Sequence, residues 1–184
     1  MAHASGFQEL LKFSDSLICS TSAALDQVCV WEAATLAPLD SFRAEKFFVG
    51  HNTLSVERDG HLVGSHLQKT SLAIWRWDCL REPCLRAGVK DEVTAMRILQ
   101  KIYLMLTTKK GAIQIFQMSS GNLIAEIEDA HYLSINDLAV SDDFCATGGK
   151  DTKVRVWLTN DLFAHQQTAA RPFAEFGDAQ MEIT

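Results

Sequence analysis

The sequence predicts an all-β protein in which one four-stranded unit is repeated along the chain. Residues 131–157 hold three short strands separated by two turns, and the last strand, residues 153–157, alternates polar and apolar side chains. The aromatic residue that ends this strand recurs with gaps of 44, 41 and 41 residues. A period of about 40–45 residues is typical of one four-stranded blade of a β-propeller. We expect about three and a half to four blades, closed by Trp31, Trp75, Phe116 and Trp157.

The repeat divides the chain into four approximate blades and the start of another. The expected boundaries are residues 7–46, 47–88, 89–129 and 130–177, followed by 178–184. In the first blade, residues 17–20 and 27–31 read as strands, whereas residues 7–13 form either a further strand of this blade or one that pairs elsewhere. In the last blade, a polar insertion at 158–170 with a short helical turn delays the outer strand, which is expected at 173–176.

The segment 131–157 resembles a WD repeat. A His precedes the first strand, a Thr ends the second, an Asp lies in the tight turn and a Trp closes the third. In that family these groups form a hydrogen-bonded chain inside one blade, which implies such a structural tetrad here. A buried carboxylate needs donors, an imidazole both donates and accepts, and an indole N–H needs an acceptor. A catalytic His–Asp pair is the alternative, but no nucleophile lies at a matching place. The tetrad residues would be His131, Thr147, Asp151 and Trp157.

The other units depart from this pattern. The third unit has Phe116 in place of Trp and no Asp in its turn, so no tetrad is expected there. In the second unit Trp75 is the expected core aromatic, with Trp77 beside it, although the reverse assignment stays open. The first unit has a loose turn and is also expected to lack the tetrad.

The composition is that of an ordinary globular protein, with 47% hydrophobic and 22% charged residues in 184. A net charge of −6 argues against sequence-independent binding of nucleic acid over the whole surface, but leaves a local basic patch open. The first residues lack the pattern of a signal peptide and no apolar run approaches about 18 residues, so no membrane association is expected. The five cysteines are therefore expected to be reduced, and Cys79 and Cys84 lack the second ligand pair of a zinc site.

The chain contains no recognisable catalytic or cofactor motif. There is no glycine-rich phosphate loop, no GxSxG and no HExxH sequence. Asn136 and Asp137 are the only polar pair that would suit a propeller hydrolase. We therefore expect no enzyme activity, no cofactor, no metal and no small-molecule substrate. Propellers of this family typically act as rigid platforms whose function lies in their loops.

A propeller is a closed ring, commonly of seven blades in this family, and four blades leave sheet faces and edges open. The expectation is therefore an incomplete ring, the N-terminal part of a seven-bladed propeller. Pairing with another chain is the alternative.

The order of features is similar to the propeller subunit of the nucleolar complex that matures the large ribosomal subunit, the rixosome. The similarity rests on residues 19–31, residues 67–75, and residues 113–157 with the GGKD turn and the insertion that follows. It covers roughly residues 17–184. The resemblance implies a non-catalytic scaffold that supports the processing of spacer rRNA. Such a scaffold would bind a helical-repeat protein and associate only indirectly with pre-ribosomal RNA. The implied location is the nucleolus or nucleoplasm, with the cytoplasm as the alternative.

A substrate receptor of a ubiquitin ligase is the other functional reading. Such receptors use a W-D-x-R sequence, and here the Arg of Trp77-Asp78-Cys79-Leu80-Arg81 comes one residue too late. Exposed aromatic and Arg residues dominate many interfaces, so Trp77 and Arg81 are the expected partner contacts.

Overall fold

A computed structural model describes residues 9–12, 15–22, 27–43, 54–56, 61–65, 71–76, 85–100, 102–164 and 171–177. These residues form four antiparallel sheets, each made of four strands that follow one another along the chain. The first sheet contains β1 (Glu9–Lys12), β2 (Leu17–Ser22), β3 (Gln27–Glu32) and β4 (Pro38–Arg43). The second contains β5 (Leu54–Val56), β6 (His61–Ser65), β7 (Ser71–Arg76) and β8 (Leu85–Gly88).

The third sheet contains β9 (Val93–Leu99), β10 (Tyr103–Thr108), β11 (Ile113–Gln117) and β12 (Leu123–Ile127). The fourth contains β13 (Ile135–Val140), β14 (Phe144–Gly149), β15 (Val154–Leu158) and β16 (Ala174–Phe176), with the short helix α1 (Thr159–Ala164) between its last two strands. The predicted all-β architecture of four-stranded blades is confirmed, and the four blades that the structure describes are consistent with the expected incomplete ring.

Strand pairing settles one alternative that the sequence left open and corrects one strand boundary. β1 pairs with β2, so the segment near residue 10 belongs to the first sheet. In the fourth sheet, β14 continues to Gly149, whereas the sequence pattern ended this strand at Thr147. The pattern was wrong at this point because Gly148 and Gly149 still pair with neighbouring strands, opposite Val154 and Ile135.

The core lies between the sheets. The third sheet is covered on both sides, and for this reason nearly every residue of β10 and β11 is buried. Alternate residues of a strand point to opposite faces, so one face packs against the second sheet and the other against the fourth. Toward the second sheet lie Leu104, Leu106 and Phe116, which cluster with Leu72 and Ile74. Toward the fourth sheet lie Met105, Ile113 and Ile115, which cluster with Leu138, Cys145 and Trp157.

The first strands of successive sheets lie side by side, β1 with β5, β5 with β9 and β9 with β13. The sheets thus radiate from a common axis with their first strands innermost, as propeller blades do.

Candidate functional site

Four side chains of the fourth sheet form one continuous chain of hydrogen bonds. Trp157 Nε1 donates to Thr147 Oγ1 at 3.0 Å, and Thr147 Oγ1 lies 2.7 Å from His131 Nε2. His131 Nδ1 lies 2.8 Å from Asp151 Oδ1. The structure therefore brings together the four residues that the resemblance implied, and we call them the tetrad.

The direction of each hydrogen bond follows from the inventory of donors. An ionised Asp151 only accepts, so the proton of a neutral His131 lies on Nδ1. His131 Nε2 is then an acceptor, and the Thr147 hydroxyl donates to it while accepting from the indole. His131, Thr147 and Trp157 are each at most 2% exposed.

Gly149 makes room for the contact between His131 and Asp151. A Cβ atom at Gly149 would lie 2.3 Å from His131 Nδ1 and 2.5 Å from Asp151 Oδ1, distances that side-chain atoms do not tolerate. The sequence pattern places Gly149 in a turn. Its structural role is instead to let two polar side chains cross the end of a strand.

Gly111 holds the chain at the entry to the fourth sheet. It has φ of +85°, and its carbonyl accepts a hydrogen bond from His131 N at 2.9 Å. A Cβ atom at this position would lie 2.1 Å from His131 O. Only glycine combines this backbone angle with so close an approach.

Asp151 is the electrostatic centre of the site. Burial alone raises the pKa of a carboxyl group, but hydrogen bonds from Arg155, His131 and the Tyr132 amide outweigh burial here, and the pKa of Asp151 falls well below its usual range. Arg155 Nη1 lies 2.6 Å from Asp151 Oδ2, and Arg155 Nε lies 2.6 Å from Glu175 Oε2. Asp151 is therefore ionised at neutral pH.

The tetrad is not arranged for catalysis. The His131 side chain has no exposed surface, both of its ring nitrogens are occupied, and the neighbouring hydroxyl already accepts the indole N–H. A general base must reach the proton that it removes from a substrate, and this imidazole reaches only protein groups. Within the described ranges, no three or more His, Cys, Asp or Glu residues are grouped to hold a metal ion.

The tetrad instead fixes a loop at the surface. The amide of Tyr132 donates to Asp151 Oδ2 at 3.2 Å, and Ser134 O accepts from Lys150 N at 2.8 Å. Between these anchors the side chains of Tyr132 and Leu133 are 88% and 47% exposed. An aromatic side chain on a rigid backbone loses little entropy when a partner binds it. We take Tyr132 and Leu133 as the candidate contact site.

The sequence pattern does not single out this candidate contact site, although one signal is present. An aromatic residue followed by an apolar one comes directly after the tetrad His. The residues predicted to contact partners, Trp77 and Arg81, lie outside the described residues, and their role stays a prediction.

The other blade aromatics lie in different surroundings. Trp31 Nε1 donates to Ser20 Oγ at 2.6 Å, so half of a tetrad exists in the first sheet, where the sequence predicted none. Phe116 is 4% exposed and clusters with Leu106. Trp75 lies in β7 opposite Leu62. Asp137, which the alternative of a propeller hydrolase would require, has a side chain that is 69% exposed and lies 3.6 Å from Arg97 in a surface ion pair.

The three described cysteines are free and buried. Burial raises the pKa of Cys145 to about 12, and burial together with the neighbouring Cys29 raises the pKa of Cys19 to about 12. These thiols are therefore core residues and not nucleophiles. Among the described helices, none has the length and apolarity to cross a membrane.

No protein-family model matches the chain. Among curated proteins, it is similar to the pre-rRNA-processing protein IPI3 of Saccharomyces cerevisiae, with 29% identity over 85 residues, which is 45% of this chain and 15% of that protein. The IPI3 protein of Candida glabrata is 27% identical over 96 residues, which is 50% of this chain and 18% of that protein. The chain thus spans less than a fifth of the length of these relatives.

Among solved structures, the designed protein Ika8 matches with a TM-score of 0.66 and 20% identity, over 95% of this chain and 50% of that one. Hsv2 of Kluyveromyces marxianus matches with a TM-score of 0.67 and 15% identity, over 86% and 51% of the two chains. The designed protein Ika4 has a TM-score of 0.65 and 20% identity, over 85% and 93%. These likenesses show the fold alone: the chain is an arc of β-propeller blades.

Proposed function

We propose that this chain is a non-catalytic WD-repeat scaffold that acts in pre-rRNA processing during maturation of the large ribosomal subunit. The observation that carries the proposal is the similarity to IPI3 proteins of two yeasts, which extends over about half of this chain. The hydrogen-bonded tetrad supports the assignment as a WD repeat, since its members occupy the His, Thr, Asp and Trp places of that pattern. The implied location is the nucleolus or nucleoplasm.

The site favours a protein as the direct partner. Tyr132 and Leu133 form an exposed, mostly apolar contact on a backbone that the tetrad holds in place. A binder of the RNA backbone needs a cluster of Lys and Arg, whereas this chain has a net charge of −6. The partner is therefore a protein of the maturation particle, a helical-repeat scaffold in the resembled complex, and pre-ribosomal RNA is reached through it. We propose Trp77 and Arg81 as further partner contacts. We also propose that the blades have the boundaries predicted from the sequence.

Affinity purification of the tagged 184-residue chain from nuclear extract tests the function. The expected result is co-purification of a helical-repeat protein together with pre-60S proteins and spacer-containing RNA. Recovery of a ubiquitin-ligase adaptor in place of these would overturn the proposal, as would recovery of no ribosome-assembly factor.

A variant pair tests the contact site. Tyr132→Ala removes an 88% exposed side chain and leaves the amide that contacts Asp151, so the fold is retained. Because aromatic anchors at interfaces often contribute about 2 kcal/mol or more, recovery of the partner should fall about tenfold or more. The matched control is Leu123→Ala on the outer strand β12, which is 40% exposed. Equal recovery by both variants would remove Tyr132 from the interface.

A further inference from the structure

The third blade contains a cavity at the place that corresponds to the tetrad of the fourth blade. The cavity has a volume of about 340 Å³, and Lys90, Lys110 and Gln114 are among the residues that line it. Shifted by the 41-residue repeat, the two lysines take the sequence places of His131 and Asp151. Both lysines are exposed, whereas the side chains of His131 and Asp151 are buried. The groups that fill this place in the fourth blade are therefore missing from the third.

Gln114 contributes a buried polar atom that has no partner. Its residue is 1% exposed, and its side-chain NH₂ group donates to Glu126 Oε1 at 2.6 Å. An ionised carboxylate only accepts hydrogen bonds, so this contact fixes which end of the amide faces Glu126. In the part of the chain that the structure describes, the amide oxygen Oε1 of Gln114 meets no donor. Buried acceptors are rarely left in this state, so the atom is available to a donor from outside the chain.

Glu126 is held in its ionised form. Burial raises the pKa of this carboxyl group, but hydrogen bonds from Lys90 and Gln114 outweigh burial and lower the pKa. The ammonium group of Lys90 also lies 4.0 Å from Glu128 Oε1. The side chain of Glu126 is 16% exposed and that of Glu128 is 78% exposed. One carboxylate is thus largely enclosed beside the amide, and a second remains open to solvent.

The fourth blade shows which group occupies the equivalent position. Gln114 in β11 pairs with Glu126 in β12. One repeat later, Arg155 in β15 pairs with Glu175 in β16. The Arg155 guanidinium bridges Glu175 Oε2 and Asp151 Oδ2, with both N–O distances at 2.6 Å. The third blade keeps the carboxylate of this arrangement and replaces the arginine by the shorter, neutral Gln114. A guanidinium therefore has an established place in this fold, which the third blade itself leaves without one.

The charge of the cavity favours a cation. Two ammonium groups, those of Lys90 and Lys110, face a larger number of carboxylates. The lining carboxylates are those of Asp91, Glu126, Glu128 and Asp129. Side chains of one sign in a concave site raise the local concentration of ions of the opposite sign.

We propose that this cavity binds the side chain of an arginine that a partner protein supplies. A guanidinium carries five N–H donors in one plane, which suits the free amide oxygen of Gln114 together with the carboxylates of Glu126 and Glu128. In the described parts of the chain, no three His, Cys, Asp or Glu residues are grouped as a metal ion requires, so the acceptors favour a larger cation. The volume is near the lower end for ligand pockets and fits a single side chain. This inference rests on the cavity and does not depend on the proposed function.

Peptide titration of the isotopically labelled 184-residue chain, followed by NMR, tests the inference. The probe is a glycine–arginine–glycine tripeptide with blocked ends. The matched control peptide carries citrulline, which has the shape of arginine without its charge. The side-chain NH₂ resonances of Gln114 are identified by their absence from the Gln114→Met variant. The arginine peptide should shift these resonances saturably and bind about tenfold or more tightly than the citrulline peptide, since its hydrogen bonds are charge-assisted.

Two variants separate the roles of the amide and the charge. Gln114→Met keeps the length of the side chain and removes its oxygen, so the arginine peptide should bind about tenfold more weakly, measured by the backbone resonances of Ala112 and Asp129. Glu128→Gln changes an exposed side chain and should weaken binding by about two- to fivefold. The control Asp142→Asn makes the same change of charge in an exposed turn of the fourth sheet and should leave binding unchanged.

The proposal is overturned if the arginine and citrulline peptides bind equally or if neither binds. It is also overturned if a folded Gln114→Met variant binds the arginine peptide as tightly as the wild type does. Equal effects of Glu128→Gln and Asp142→Asn would show attraction to the net charge of the chain and no site. A lysine peptide that binds as tightly as the arginine peptide would overturn the assignment to a guanidinium.

Discussion

Replacement of Asp151 by Asn tests how much the tetrad contributes to folding. The change keeps the shape of the side chain and removes its charge. In the wild-type protein, Asp151 contacts His131 Nδ1, the Tyr132 amide and Arg155 Nη1, all within 3.2 Å. An amide has one acceptor oxygen and a donor NH₂, so at least one of these three donors loses its partner.

The expected cost follows from burial. The side chains of Asp151 and Arg155 are 7% and 12% exposed, and removal of one member of a buried ion pair typically costs about 3–5 kcal/mol. Glu175 still contacts Arg155 after the substitution and compensates part of its charge. We therefore expect the low end of that range, about 3 kcal/mol, which corresponds to a fall in Tm of about 6–12 °C for a chain of this size.

Urea unfolding, followed by tryptophan fluorescence, measures this cost. Asp142→Asn in an exposed turn is the matched control and should change the free energy of unfolding by less than about 0.5 kcal/mol. A double-mutant cycle with Arg155→Met should give a coupling energy of about 1–2 kcal/mol, since the two side chains are in direct contact. A cost of Asp151→Asn no larger than that of the control would refute the reasoning.

The remaining predictions concern the same blade. Because the pKa of Asp151 is depressed in the folded state, the ionised carboxylate stabilises the fold above about pH 4, and this stabilisation is lost as the pH falls below that value. The difference in the free energy of unfolding between wild type and Asp151→Asn should therefore shrink by about 1 kcal/mol between pH 7 and pH 3, measured by urea titration. Thr147→Val leaves His131 without a hydroxyl donor in a buried site and should lower the free energy of unfolding by about 2 kcal/mol, again by urea titration. Gly111→Ala should cost about 3 kcal/mol or more in thermal unfolding, whereas Gly88→Ala, whose Cβ meets no atom within 4 Å, should be nearly neutral.

The sequence predicted the blade architecture, and the resemblance to a WD repeat implied the members of the tetrad, because both are local features. All four residues lie within 27 consecutive positions, and antiparallel strands joined by short turns bring such positions together by strand pairing alone. The pattern also placed a helical turn in the insertion after β15, where α1 lies.

Other features could not be predicted because they depend on contacts between strands. Gly149 reads as a turn residue until the His131 and Asp151 side chains are placed beside it. Ser20 is one of several serines in its segment, and only its register with β3 puts its hydroxyl 2.6 Å from the Trp31 indole. The exposure of Tyr132 depends on the path of the whole loop, which a periodic pattern does not describe.

Different residues occupy the place of the tetrad in different blades. Each set follows the same rule, which is that a buried polar group needs a hydrogen-bond partner. In the fourth sheet the indole N–H of Trp157 meets a Thr, which leads on through His131 to an ionised Asp. In the third sheet Phe116 has no N–H to satisfy, and the place of the hydroxyl residue is taken by Leu106, which needs no partner. A complete polar set and a complete apolar pair are both stable, because neither leaves a buried polar group unsatisfied. The tetrad is therefore one consistent solution for blade packing, and its particular consequence is the rigid loop that presents Tyr132 to solvent.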